Sequence, residues 1–130
     1  MPIPTAAEFS VAARVAAHTA LRDLIDAGSS AGYIAVRGTA LQLLATVPLS
    51  DPCGTVSGTT GQLTLSVAGP DAAADLTGAI AYAEVCDSAG TVHLALPAEA
   101  GTSPVPGKFV VNSLSVVAGT EVSVLSAVIG

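Results

Sequence analysis

Chemistry in this chain would have to come from few residues: His18 and His93, Cys53 and Cys86, and a thin set of carboxylates and hydroxyls. A zinc site needs soft ligands at close spacing, and neither the cysteines nor the histidines form such a pair. His93 with Asp87 and a neighbouring serine is the raw material of a triad. Geometry defines a triad, however, and a serine-rich β protein offers that composition by chance. Asp71 and Asp75 are four apart around a turn, as a cation loop would place them, but they read as solvated loop carboxylates. Neither phosphate-cradling glycine motif occurs, and Gly54-Thr55-Val56-Ser57-Gly58 lacks the spacing of a nucleophile elbow. The expectation is a protein without catalytic residues, metal or cofactor.

Composition bounds what remains. The 130 residues are one domain's worth, with 51% hydrophobic and only 11% charged. Four Lys+Arg against ten Asp+Glu give a net charge of −6, which opposes binding to nucleic acid. Disordered chains are charged and poor in apolar residues, so disorder is excluded. No stretch of 18 residues free of charges and turn formers offers a membrane span. The N-terminus has no basic region, and Arg14, His18 and Arg22 break the following apolar run, so no signal peptide is expected. The cysteines then read as reduced, buried thiols in a protein made in a cytoplasm.

A mean hydropathy of +0.68 leaves too little charge to coat the exterior. Some of it must be Ala, Val, Ser and Thr, and large apolar patches mark interfaces. The composition therefore predicts burial in an assembly, with a homo-oligomer as one form of it.

The chain reads as one β-rich domain over 1–130: an arm at 1–4, a helix at 5–27 and a β-sandwich at 32–129. Thr5-Ala6-Ala7-Glu8 is a capping box. Phe9, Ala13, Ala16, Ala17, Ala20 and Leu24 share one helical stripe, the expected buried face, with Arg14, His18 and Arg22 elsewhere. Gly28 supplies a left-handed stop. Asp23 and Asp26 sit badly with the helix dipole, which hints at an outside partner.

Beyond Gly28 the period is two. Residues 32–37 and 41–47 form a hairpin, and 50–61 a loop. Strands follow at 62–67, 79–85 and 91–96, with Ile80, Tyr82 and Glu84 on one face of 79–85 and Ala83 and Val85 on the other. Residues 97–107 read as a long surface loop. Segments 108–117 and 120–129 pair around Ala118-Gly119. Seven or eight short strands without strand–helix–strand alternation predict a mainly β fold, an antiparallel sandwich or barrel with one N-terminal helix. Strands 79–86 and 120–129 are apolar on both faces, so a neighbouring subunit is expected to cover the second face.

The order of pieces is also suggestive. The Ala-rich helix runs into Leu21-Arg22-Asp23-Leu24-Ile25-Asp26-Ala27-Gly28-Ser29, then Tyr33-Ile34-Ala35-Val36-Arg37 and Leu43-Leu44-Ala45-Thr46-Val47-Pro48-Leu49-Ser50-Asp51-Pro52. Later come Asp75-Leu76-Thr77-Gly78-Ala79-Ile80-Ala81-Tyr82, Asp87-Ser88-Ala89-Gly90-Thr91-Val92 and Val116-Val117-Ala118-Gly119-Thr120-Glu121-Val122. Over most of its length the chain resembles a family of small proteins encoded among the head genes of tailed bacteriophages. It departs from that pattern at Val36-Arg37-Gly38-Thr39, where members often carry Thr-Arg-Pro, and at Ala83-Glu84, where many carry a bulkier aromatic and an arginine.

The resemblance implies a non-enzymatic virion structural protein with no catalytic residues to transfer. The expected role is a capsid decoration or cement protein, a homo-oligomer with a trimer favoured, with the major capsid protein or other virion proteins as partners, and neither nucleic acid nor membrane. A tail or neck protein is the first alternative, and a β-sandwich adhesin or carbohydrate-binding module the second. Pro2, Ile3, Pro4, Phe9, Tyr33, Tyr82, Val105 and Phe109 are the expected contact residues, with the loop 97–107 and the two-faced strands.

Overall fold

A computed structural model describes Ile3 and residues 9–71 and 73–130. The helix α1 spans Val11–Ile25. Ser10 is its N-cap, extended at φ −61° and ψ 161°, and its hydroxyl accepts from the Ala13 amide at 3.1 Å. Phe9 and Ser10 are not helical, so the helix does not run from residue 5; the Thr5–Glu8 capping box and Pro2 and Pro4 lie outside the described residues. Asp26 closes α1 in a right-handed conformation, with its amide on the Arg22 carbonyl. Gly28 is not the left-handed stop expected of it. Its lack of a side chain instead admits Ser88, which a Cβ there would strike.

The eight strands are β1 Tyr33–Gly38, β2 Leu43–Val56, β3 Leu63–Val67, β4 Gly78–Cys86, β5 Val92–Ala100, β6 Phe109–Val111, β7 Ser115–Val116 and β8 Val124–Ile129. Seven of them close a barrel in the order β1-β2-β3-β8-β6-β5-β4 and back to β1, and β7 hangs on the start of β4. Of the sandwich and barrel alternatives, the barrel is the fold. One neighbouring pair, β5 with β6, is parallel, with Ala98 opposite Phe109.

Register explains the core. Ile34 faces Val47 and Val85, and Val85 faces Leu94; Val36 faces Ala45 and Ala83, and Ala83 faces Leu96. Cross-strand partners point to the same side, so these residues form two layers inside the barrel. Leu63, Phe109, Val111 and Ala127 complete the core from the other strands.

Bulges account for most departures from the periodic reading. Arg37 faces Tyr82 but Gly38 faces Ile80, so Ala81 is extra. One added residue reverses side-chain parity, and Ile80 joins Ala83 and Val85 inside instead of sharing a face with Tyr82 and Glu84. In β2 the pairing jumps from Leu49–Val67 to Gly54–Leu65, and the strand continues to Val56 through the expected loop. Gly54 has no room for a Cβ, because the Thr64 carbonyl occupies that space. Residues 97–100 belong to β5, which shortens the expected 97–107 loop. β6 and β8 pair around the 118–119 turn as expected, but between them the chain leaves to pair Val116 with Gly78.

The two ends of the barrel are closed differently. At one, α1 lies against β2, β3 and β5. Gly61 makes this seat close: a Cβ there would come within 2.6 Å of the Arg14 Cβ. The other end, here called the mouth, is crossed by residues 71, 73–77 and 116–122. These are tied together by Asp71 and Val122, by the Ala74 amide on the Thr120 carbonyl, and by the Gly119 amide on the Ala74 carbonyl.

The orientation of α1 is the reverse of the one expected. Ala13, Ala16, Ala17 and Ala20 are exposed, with Leu24 at 52% and Phe9 at 67%. The inner side carries Val11, Val15, Leu21 and Ile25, and Ile25 is fully buried. Branched aliphatic side chains each remove far more area from water than an alanine methyl does, so fewer large residues outweigh more small ones. Arg14, His18 and Arg22 are half-buried on the inner side too: His18 bonds the Gly61 carbonyl, Arg22 pairs with Asp23, and Arg14 Nε is buried without a hydrogen-bond partner among the described residues.

Candidate docking surfaces

The residues able to do chemistry are held in structural roles. His93 Nε2 lies 2.9 Å from Asp87 Oδ2, just after the β4–β5 turn. Asp87 Oδ1 accepts the Ala89 and Thr91 amides, so this carboxylate organises the hairpin. The hydrogen bond from His93, then those from the backbone amides, hold Asp87 below the usual carboxylate range. The Ser88 hydroxyl lies against Gly28, and among the described residues no serine is hydrogen-bonded to His93. The elements of a triad do not meet. His18 Nδ1 donates to the Gly61 carbonyl, clasping α1 to the barrel.

Both cysteines are free and buried. The Cys53 amide donates to both carboxylate oxygens of Asp26, at 3.0 and 3.2 Å. Asp26 thus has an internal partner, and Asp23 pairs with Arg22 at 3.4 Å, so neither calls for an outside one. Burial, reinforced by the Asp26 carboxylate, pushes the Cys53 thiol up to about 12. Burial also raises Cys86, with Glu84 adding to the effect. Such thiols are poor nucleophiles and poor metal ligands. Glu84 pairs with Arg37 on the outside of β1 and β4.

A shallow polar cleft of about 160 Å³ lies beside β7, with Asn112, Ser115, Thr120, Glu121 and Ser123 among its lining residues. Glu121 accepts the Ser123 hydroxyl at 2.9 Å and is, among the described residues, the one carboxylate lining the cleft, where a glycosidase uses a pair. Asp71 is committed to the Thr46 and Ala73 amides. Among the described residues no group of three or more His, Cys, Asp or Glu is placed to hold a metal ion, and no helix is long and apolar enough to cross a membrane.

What the exterior does offer is apolar surface. Of the expected contact residues, Ile3 is 94% exposed and Phe9 stands out beside α1, while Tyr33, Tyr82 and Val105 are half-buried. Phe109 is fully buried and is not a contact residue. Its strand β6 turns it into the barrel opposite Ala98 and Ala127.

Sequence reasoning singled out none of Leu41, Leu76, Val92 and Val117, placed Leu24 on the buried stripe and took in Leu125 only with the two-faced strand 120–129, yet all six are large and exposed. The signal was available for three of them. Leu41, Leu76 and Val117 each stand next to turn formers, Gly38-Thr39, Thr77-Gly78 and Ala118-Gly119, where an apolar residue has little core to enter.

Compared with known protein families, curated proteins and solved structures, the chain matches none.

Proposed function

We propose that this chain is a non-enzymatic structural protein of a tailed-bacteriophage virion, a decoration or cement protein that binds the outside of the head and bridges capsid subunits. The observation that carries the adhesive part is the outward apolar side of α1. A helix that keeps its arginines half-buried and shows its alanines to water is incomplete as a monomer. The virion setting comes from the sequence resemblance to head-gene proteins. The mechanism is contact: a small barrel with few charges to desolvate covers the joint between shell subunits, and repetition over a lattice multiplies weak contacts. The half-buried state of Tyr33 and Tyr82 weighs against a carbohydrate-binding module, which would display aromatics.

Sedimentation with purified heads, alongside size-exclusion chromatography of the free chain, tests this reading. Binding to heads, with the free chain a trimer, supports it. A ring of six that binds tails moves the protein to the tail or neck, and a stable monomer that binds glycans overturns the virion role.

A further inference from the structure

Because β5 and β6 run parallel, with Ala98 opposite Phe109 and Ala100 opposite Val111, the chain must return between them across a face of the sheet. The inner face is filled by the core, so residues 101–108 make the return on the outside. Phe109 and Val111 point inward, and Val110 between them points outward. Val110 is nevertheless fully buried, and a Cβ on Gly101 would lie 3.5 Å from its Cγ1. Ser126 faces Val110 across the β6–β8 pair, on the same outer side. Its hydroxyl is buried with no hydrogen-bond partner among the described residues.

The crossing segment is held at its ends. The Gly101 amide donates to the Val111 carbonyl at 3.0 Å, and the Gly107 amide to the Val128 carbonyl at 2.7 Å. These anchors bracket Ser126. Between them no amide of the segment is hydrogen-bonded among the described residues. Thr102, Ser103, Pro104 and Pro106 are exposed, and Val105 is half-buried. The prolines stiffen the middle, whereas a glycine stands at each end. Gly107 has a left-handed φ of 80° and open space around it.

We propose that residues 101–107 are a hinged strap, which lifts as a unit about its two glycines while the barrel stays closed. Two opposed effects poise it. Closing hides the Val110 side chain from water, but it also strands the Ser126 hydroxyl, which lifting returns to water. The bonds that a lift must break are few and lie at the two ends, so the strap opens at lower free energy than the strands beneath it.

The test is thiol labelling of Val110→Cys, with Cys53 as the internal reference. The introduced thiol is expected to react about tenfold faster than Cys53, or more. A low concentration of denaturant should speed Cys53 and leave the introduced thiol unchanged, because only opening of the barrel exposes much surface. Amide exchange of the parent chain needs no substitution. The Gly101 and Gly107 amides are expected to share one protection factor, below that of the Leu49 amide, which donates to the Gly32 carbonyl. Ser126→Ala removes the stranded hydroxyl and should raise protection at both glycines about tenfold. Equal labelling of the two thiols, equal protection at Gly101, Gly107 and Leu49, or no gain from Ser126→Ala overturns the proposal. Each of these outcomes leaves the virion reading standing, since that is judged by binding to heads.

Discussion

The two ends of the barrel solve the same problem with different bonds. At the helix-covered end, α1 is fastened through side chains: Asp26 on the Cys53 amide and His18 on the Gly61 carbonyl. At the mouth most fastenings run backbone to backbone, between residues 71, 73–77, 119–122 and Leu44, with Asp71 on the Thr46 amide as the main side-chain addition. A side-chain clasp can be removed by one substitution, whereas a backbone ladder survives most of them. Single mutations should therefore loosen the helix-covered end more readily than the mouth.

The largest effect belongs to the interior that both ends share. Phe109→Ala is expected to cost about 3–5 kcal/mol, read from denaturant midpoints, because it empties the largest fully buried side chain. A small loss would mean that β6 is not part of the core.

Next come the two aspartate clasps. Asp26→Ala strands the amide of fully buried Cys53 and is expected to cost about 1–3 kcal/mol. Asp71→Ala releases a half-buried amide while its backbone pairing with Val122 persists, so about 1 kcal/mol is expected. The reverse order would break the comparison between the ends.

Acid sharpens it. Asp87, beside the helix-covered end, has a folded pKa below its unfolded value. Its contribution is complete above the unfolded pKa of about 3.9 and is lost as pH falls through the lower folded value. His93→Ala removes the main cause, so its denaturant midpoint should be lower than the parent's near neutral pH and fall less steeply as acid is added, the two converging at low pH. Profiles that superimpose from neutral pH into acid would dismiss the pair as a source of stability.

The smallest effect is a rate. Cys53 is fully buried with its thiol pushed up to about 12, so labelling by a thiol reagent at mildly alkaline pH should wait for opening of the fold. Asp26→Ala should quicken labelling of Cys53 and leave Cys86 as it was. Equal acceleration at both would show that the clasp is not local.

The β class, the helix and most strand positions were legible because alternation and turn formers carry them locally. The failures have two physical causes. Parity is reset by bulges at Ala81 and between Leu49 and Gly54, and nothing in Ile80-Ala81-Tyr82 announces an extra residue. The buried side of α1 was misjudged because apolar positions were counted rather than weighed: four alanines lost to Val11, Val15, Leu21 and Ile25. Contact residues were partly legible for the same reason. Phe9 and Ile3 precede the helix and stay outside, while Phe109 shows that a large aromatic beside a loop can still be core. The exposure of Leu41 was signalled by Gly38-Thr39 just before it, whereas its left-handed φ of 65° was not.

The ring of seven strands also governs what crowding can do to this protein. Because β1 pairs with β4 as well as β2, each of the seven barrel strands has a neighbour on both sides, and the stretch of β5 paired on one side only is short, Val92–Leu96. Copies packed at high density therefore meet chiefly through side chains, where substitutions tune the grip, and offer little backbone to the runaway cross-β stacking that threatens open sheets.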